Sequence, residues 1–583
     1  MLPVPGALAR RLTNLRVPES TVLLALAFAV GLGTALGALG FKLMVESAKE
    51  FFFGSTPPVL QSLVPVRHIW VALIPLAGGL LAGPIIAFCA HEAKGHGVPE
   101  VMQAVALKGG IIRPRVALIK ALASAVCLGS GGSAGREGPI VQIGSAIGST
   151  VGQIFRMPGE RVRILVGCGA AAGISAIFNA PIAGVLFSLE VILGDFGIRT
   201  FAPVILSSVL SSVMMRSVVG NAPAFKVPSY TLVSPYEIPI YIVLGILCGV
   251  TAVLFIRALY KAEDLFDNWT APMWLKPAIG GLGVGIVGIS FPQIFSDGYD
   301  TIHTMLSGSV VIWLAAALII LKILATSLTL GSGNSGGIFA PSLFMGAATG
   351  LVVGHVANYF FPIATASPGA YALVGMGAVV AGTTHAPITA ILILFELTGD
   401  YRIILPVMVA VVFSTLVARR LCPDSIYTLK LRRRGVVLKY GRDVNVLAGT
   451  LVKEVMSSEF CAIPENARLP QILQVVSQST DDHFPVVDAE GDFIGTIGYQ
   501  DLRQLLTGKV VSELIIARDM AHLNIPHVTS GETLESALAK FGPHGWEALP
   551  VLDVARGGRL VGMLRRDSLT SLYNRRLLER LSD

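Results

Sequence analysis

Residues 135–144 read GREGPIVQIG, an arginine and a glutamate side by side, fenced by glycines and followed by an uncharged run. A charge buried in a membrane costs about 2.5–3.5 kcal/mol even on the mildest insertion scales, so an intramembrane Glu137 marks a functional site. Three further stretches are taken up below: GHGVPE at 95–100 with His96, GIFAP at 337–341, and DSIYTLKL with Tyr427, a tyrosine at a span end that by itself reads as an interface anchor. Enzyme chemistry is not legible. No Ser/His/Asp set or metal-ligand spacing stands out, and in HEAKGH (91–96) the second histidine falls one position too late for the HExxH of a metalloprotease. The chain reads as a non-enzyme with no metal site.

The elements that hold these residues are apolar. Of 583 residues, 53% are hydrophobic and 14% charged, against about 25% charged in a soluble protein. Candidate spans are Val22–Val45, Ile69–Ala90, Ile238–Phe255, Val310–Leu321 and Ile403–Val417. The first three meet or approach the roughly 20 residues that cross a bilayer, and the last two fall short. Ala7–Ser20 is basic and leads into a full-length span, unlike a cleavable signal peptide. The six cysteines (89, 127, 168, 248, 422 and 461) form no CxxC pair and read as small core residues. The net charge of +7 is no nucleic-acid signal. Its densest cluster, KLRRRG at 430–435, follows the last apolar run and, with Arg10, Arg11 and Arg16, assigns both termini to the cytoplasm.

The apolar part repeats itself. KALASAVCLGSGGSAGREGPIVQIG from Lys120 and KILATSLTLGSGNSGGIFAPSLFMG from Lys322 share K-x7-LGSG-x3-G-x3-P-x4-G at an offset of 202. NAPIAGVLFSLE, ending at Glu190, and HAPITAILILFE, ending at Glu396, follow at an offset of 206. The membrane part is therefore two related halves. Short runs broken by Gly and Pro at matching positions of two halves point to a transport site, although small residues also serve close helix packing.

GHGVPE, GREGP, GIFAP and the late tyrosine occur in the order seen in the CLC family of chloride channels and proton-coupled anion exchangers, and residues 20–430 resemble that family throughout. The physics fits the resemblance. Glycines let backbone amides approach a ligand, and a helix N-terminus carries about half a positive charge with free N–H donors. Two such ends, one per half, would bind an anion without the full cation that traps it. The resemblance implies that Glu137 gates the pathway as a tethered competitor of the anion. It also implies that the anion is held by Arg136, Gly138, Ile338, Phe339 and Ala340 around the two helix starts, with the hydroxyl of Tyr427. The rival reading is a Glu137 merely paired with Arg136.

Two departures from the family pattern matter. Where the first motif usually reads Gly-Ser-Gly, His96 replaces the serine whose hydroxyl touches the anion. Imidazole can donate an N–H or become cationic, or it can turn toward the cytoplasmic vestibule. Where exchangers carry a second, proton-accepting glutamate, Val191 follows Glu190. Glu190 and its repeat mate Glu396 read as structural, and Asp195 lies a turn further on. Channel-like anion conduction leads, a proton-coupled antiporter follows, and a divalent-cation transporter would need clustered carboxylates that are not found.

Past Leu421 the composition becomes that of a soluble domain. HFPVVDAEGDFIGTIGYQDL (483–502) recurs as ALPVLDVARGGRLVGMLRRDSL (548–569), each a strand, turn, strand and helix, behind amphipathic helices in ARLPQILQVVSQ and ETLESALAKF. This resembles a tandem pair of CBS domains. In members that bind adenine nucleotides an Asp, here Asp501 or Asp567, reaches the ribose and a hydroxyl three residues earlier assists. Here those earlier positions are Gly498 and Leu564, which weakens nucleotide binding. The expected plan is an N-terminal segment (1–20), an all-α polytopic domain (21–430) built of inverted halves (21–219 and 237–430), a linker (431–445) and a small α/β CBS pair (446–508 and 511–583). Resemblance further implies a homodimer in a bacterial inner or plasma membrane, carrying chloride and needing no cofactor.

Overall fold

The structure, a computed structural model, describes residues 19–54, 68–221, 225, 233–436, 450–479, 481–499, 501–502, 515–523, 525–541, 546–553 and 558–572. The basic residues Arg10, Arg11 and Arg16 and the linker from 437 lie outside them. Two compact units divide at Leu438 and Lys439.

Eight helices of the first unit form one series: α1 (Glu19–Phe53), α2 (His68–Pro84), α3 (Val98–Leu107), α4 (Arg115–Gly129), α5 (Glu137–Ile154), α6 (Gly159–Phe178), α7 (Pro181–Phe187, continued as a π turn to Leu193) and α8 (Ile198–Val219). Eight more repeat it in order: α9 (Ile238–Asp267), α10 (Lys276–Ser290), α11 (Tyr299–Leu306), α12 (Ile312–Gly331), α13 (Phe339–Phe360), α14 (Pro368–Thr384), α15 (Pro387–Thr398) and α16 (Ile404–Leu421). A short α17 (Thr428–Arg433) follows Tyr427.

Repeat mates meet as a two-fold axis requires. Gly135 and Gly337, 202 apart, exchange N–H···O bonds of 2.8 and 2.7 Å in an antiparallel bridge. Ser124 bonds Ser335 (2.8 Å) and Ser133 bonds Thr326 (3.2 Å), the same contact seen from each half. The buried Lys120 donates to the carbonyls of Ala93 and Gly95, and the buried Lys322 to those of Ile294 and Ser296. Each buried amino group thus finds two carbonyl acceptors at the matching place in its half, partly offsetting the cost of its burial. The halves run in opposite directions, so the repeat is inverted.

Eight helices among the described residues are long and apolar enough to cross a membrane. Two expectations need correction. The runs that fell short as Val310–Leu321 and Ile403–Val417 belong to full-length helices, Ile312–Gly331 and Ile404–Leu421. Lys322 interrupts the first run yet donates to the Ile294 and Ser296 carbonyls inside the protein, and Arg419 and Arg420 end the second where cations complement the helix dipole. Composition also passed over α6, α8 and α13; α6 and α13 have windows that are 78% buried, and helices wrapped by protein need not be greasy, whereas α8, 39% buried, was missed without that reason. All six cysteines are free. Cys127, Cys168 and Cys248 are core residues as expected, but Cys89 and Cys461 are exposed.

The second unit contains two copies of one small α/β plan. In the first, β1 (Ile463–Pro464) pairs parallel with β2 (His483–Val487), which pairs antiparallel with β3 (Phe493–Gly498); α18 (Leu469–Ser477) connects β1 to β2. In the second, β4 (Val528–Thr529), α19 (Leu534–Phe541), β5 (Ala548–Asp553) and β6 (Arg559–Arg565) repeat it, with a bulge at Val551/Leu552 matching that at Val486/Val487. The helices bury one face each, Leu469 and Ile472 in one copy and Leu534, Ala537 and Phe541 in the other.

Candidate functional site

The helix starts of α5 and α13 meet beside the Gly135–Gly337 bridge. Pro139 and Pro341 occupy the third positions of their helices, where a missing N–H costs nothing because that donor has no intrahelical partner. The Glu137 side chain folds back over this junction, buried, and faces the amides of Glu137 itself and of Ala340, one from each helix start. Its Oε2 lies against both bridge glycines. A Cβ on Gly337 would stand 2.9 Å from it, and one on Gly135 would collide with it. Only glycine leaves room for the carboxylate here.

Arg136 does not pair with Glu137. Its Nε lies 2.9 Å from Asp297 Oδ2, and Lys49 of α1 approaches the other oxygen at 3.9 Å. The partner of Glu137 is Tyr299, whose hydroxyl donates to Oε1 at 2.9 Å. Neither Asp297 nor Tyr299 was singled out from the sequence, although a signal existed. At an offset of 201, Ser296-Asp297-Gly298-Tyr299 is the mate of Gly95-His96-Gly97-Val98, and Gly298 and Gly97 share left-handed φ values of 78° and 80°.

The opposite wall comes from that first-half loop and from the segment before α17. His96 is buried, its carbonyl packs on Gly138, and its two ring nitrogens have no hydrogen-bond partner in the protein. Its ring lies 5.8 Å from that of Tyr427, also buried. Tyr427 is held by its neighbour: the Ile426 carbonyl accepts from the Tyr260 hydroxyl (2.5 Å), and the Ile426 amide donates to Thr383 O (2.9 Å). Ile338, Phe339 and Ala340 are buried at the start of α13. All of the residues assigned to the anion by resemblance thus gather around one junction except for the Arg136 side chain, which is committed to Asp297.

The remaining carboxylates are elsewhere. Glu190 accepts from the Thr389 amide (2.8 Å) and hydroxyl (2.7 Å) and from the Ile388 amide (3.3 Å), at the start of α15. Glu396 accepts from the Ile182 (2.9 Å) and Ala183 (2.7 Å) amides at the start of α7. Each half caps the other's broken helix, satisfying donors that no helix can pair internally. Val191 is buried, and Asp195 is an exposed cap of α8 through the Gly197 amide and the Thr200 hydroxyl. Among the described residues no group of three or more His, Cys, Asp or Glu is arranged to hold a metal ion.

In the tail, Asp501 already accepts from the Gly498 amide (2.9 Å) and meets His522 (3.2 Å), beside a cavity of about 540 Å³ also lined by Asp482, Glu547, Thr496 and Trp546. Its wall carries three carboxylates, Asp482, Asp501 and Glu547, beside two imidazoles, His483 and His522. Asp567 is exposed, and Leu564, where the second hydroxyl would stand, is core.

The chain belongs to the CLC family. The family model described as voltage gated chloride channel matches residues 78–419, and the CBS domain model matches 452–508 and 515–575. A ClcB-like protein of Ralstonia nicotianae is 35% identical over 419 residues, 70% of this chain and 97% of that protein. The H+/Cl− exchange transporter ClcA of Salmonella arizonae is 33% identical over 439 residues, 73% of this chain and 92% of that one. The crystal structure of a slow cyanobacterial Cl−/H+ antiporter has a TM-score of 0.65 at 29% identity, covering 72% of this chain and 98% of that one. The protein is an integral membrane protein of a family that transports chloride and related anions.

Proposed function

We propose that this protein conducts chloride and related anions passively through one gated pathway per subunit, with Glu137 as the gate. One observation carries the reading. A single carboxylate sits at the meeting of two helix N-termini, which are the groups that would stabilise a desolvated anion. An ionised Glu137 occupies that place in the anion's stead, and a protonated or displaced one vacates it. Uncoupled conduction is supported by Val191 in place of an inner carboxylate and by Glu190 being engaged as a helix cap. The second reading, proton-coupled antiport, is favoured by the names of relatives, an H+/Cl− exchange transporter and a Cl−/H+ antiporter.

Purified full-length protein in vesicles separates the two. An imposed chloride gradient should move no protons uphill, and the reversal potential should ignore a pH gradient. Glu137→Gln should leave anion flux present and largely independent of pH. Chloride-driven proton pumping would establish the exchanger instead. The homodimer, the cytoplasmic termini and the bacterial inner or plasma membrane remain part of this proposal, resting on family resemblance and on the basic run at 430–434.

A further inference from the structure

The segment that brings Tyr299 to Glu137 is built to hold one position. Lys322 donates to the carbonyls of Ile294 (2.9 Å) and Ser296 (3.0 Å), fixing the chain just ahead of it. Gly298 then turns at a left-handed φ, in a space where a Cβ would stand 2.7 Å from the Phe344 ring. Two residues of this loop grip two consecutive residues of the other half, Asp297 holding Arg136 (2.9 Å) and Tyr299 holding Glu137 (2.9 Å). Beside the phenol, the buried Phe225 packs edge-on at 5.4 Å, and it also meets His303, one turn further along the same helix, at 5.1 Å. Swinging the phenol away from Glu137 breaks its edge contact with Phe225 as well as the hydrogen bond.

We propose that Tyr299 is the latch of the gate: a positioning residue whose hydroxyl holds the Glu137 carboxylate over the junction of the two helix starts, so that this hydrogen bond sets how readily the pathway opens. The inference rests on the reading of Glu137 as the gate. A phenol O–H bonds a carboxylate more strongly than a carboxylic acid, because charge-assisted bonds are about twice as strong as neutral ones. The latch therefore favours the ionised, seated glutamate and is weakened by the same proton that frees it. The other groups around Glu137 are Asp297 from the same loop, Arg136 on its own helix, Tyr427 before α17 and His96, whose backbone packs on Gly138. Lys49 and Lys322 act at one remove, through Asp297.

Tyr299→Phe removes the hydroxyl and keeps the ring against Phe225. In vesicles, the pH of half-maximal anion flux should move to higher pH by about one unit, the scale of one hydrogen bond to a charged group. Flux at neutral pH should rise accordingly. In a Glu137→Gln background the same change should shift no pH midpoint and leave flux within about twofold, since there is no charge left to latch. Equal loss of flux in both backgrounds would make Tyr299 a packing residue and overturn the proposal. An unmoved midpoint in Tyr299→Phe, beside a pH-insensitive Glu137→Gln, would sink the latch alone. A Glu137→Gln protein that keeps the wild-type pH profile would sink the gating reading and the latch with it.

Discussion

Replacing Glu190 tests whether the inner carboxylate is a helix cap or a proton carrier. Its side chain accepts two short bonds from Thr389, 2.8 Å from the amide and 2.7 Å from the hydroxyl, and a longer one from Ile388. Thr389 is buried, so an unpaired amide there has no ready substitute in water. Hydrogen bonds to a charged group contribute about 1.5–3 kcal/mol each, and Glu190 is only half-buried, which puts Glu190→Ala at about 2–4 kcal/mol of destabilisation. Glu190→Gln keeps one carbonyl acceptor and should cost about 1 kcal/mol. The mate variants Glu396→Ala and Glu396→Gln should follow the same order, because Ile182 and Ala183 are left in the same state. The assay is denaturant unfolding of the detergent-solubilised protein, with anion flux per folded molecule measured alongside. Ala below Gln below wild type in stability, with flux per folded molecule preserved, is the expected outcome. Unchanged stability in Glu190→Gln together with lost proton-coupled flux would refute the capping argument and return Glu190 to the proton path.

His96→Ser should alter relative chloride, nitrate and bromide permeability, because an unpartnered imidazole beside Tyr427 is replaced by a hydroxyl; unchanged selectivity in bi-ionic measurements would put His96 outside the pathway. ATP and AMP should bind the tail with Kd near or above about 1 mM, and micromolar binding by calorimetry would contradict this. In the second CBS copy, burial pushes the Glu532 carboxyl up, but Lys540 (2.9 Å), the Thr529 amide and Ser536 outweigh it and hold it below its usual value. The stabilisation is thus complete above the ordinary glutamate range and lost as pH falls through the depressed value. Glu532→Gln should lower amide-exchange protection over 529–541 at pH 7 by no more than about 1 kcal/mol, and not at all in acid, where wild type has lost the same charge.

Much of the site was legible because it is made of local backbone chemistry. A Gly-x-Glu-Gly-Pro run announces a helix start with exposed amides wherever it sits, and a repeat at a constant offset announces two related halves. Span lengths were less legible. The Lys322 and Gly-rich interruptions carry a penalty in lipid that is partly offset when carbonyls and neighbouring helices receive them, and a hydropathy window does not know which neighbour is present.

The chain by itself determined that Glu137 lies at a helix N-terminus inside a membrane domain of two related halves, since spacing, glycines and prolines act within a few residues, while the resemblance supplied their inversion. Only the tertiary structure decided what each charge touches. Arg136 turned from its neighbour Glu137 to Asp297, Glu137 took Tyr299 from 162 residues away, and Glu190 and Glu396 each crossed to cap the other half. The physical reason is the antiparallel Gly135–Gly337 bridge. It sets two loops of opposite direction against one another, and side chains pair with whatever that closure brings within about 3 Å, a distance that sequence separation does not measure.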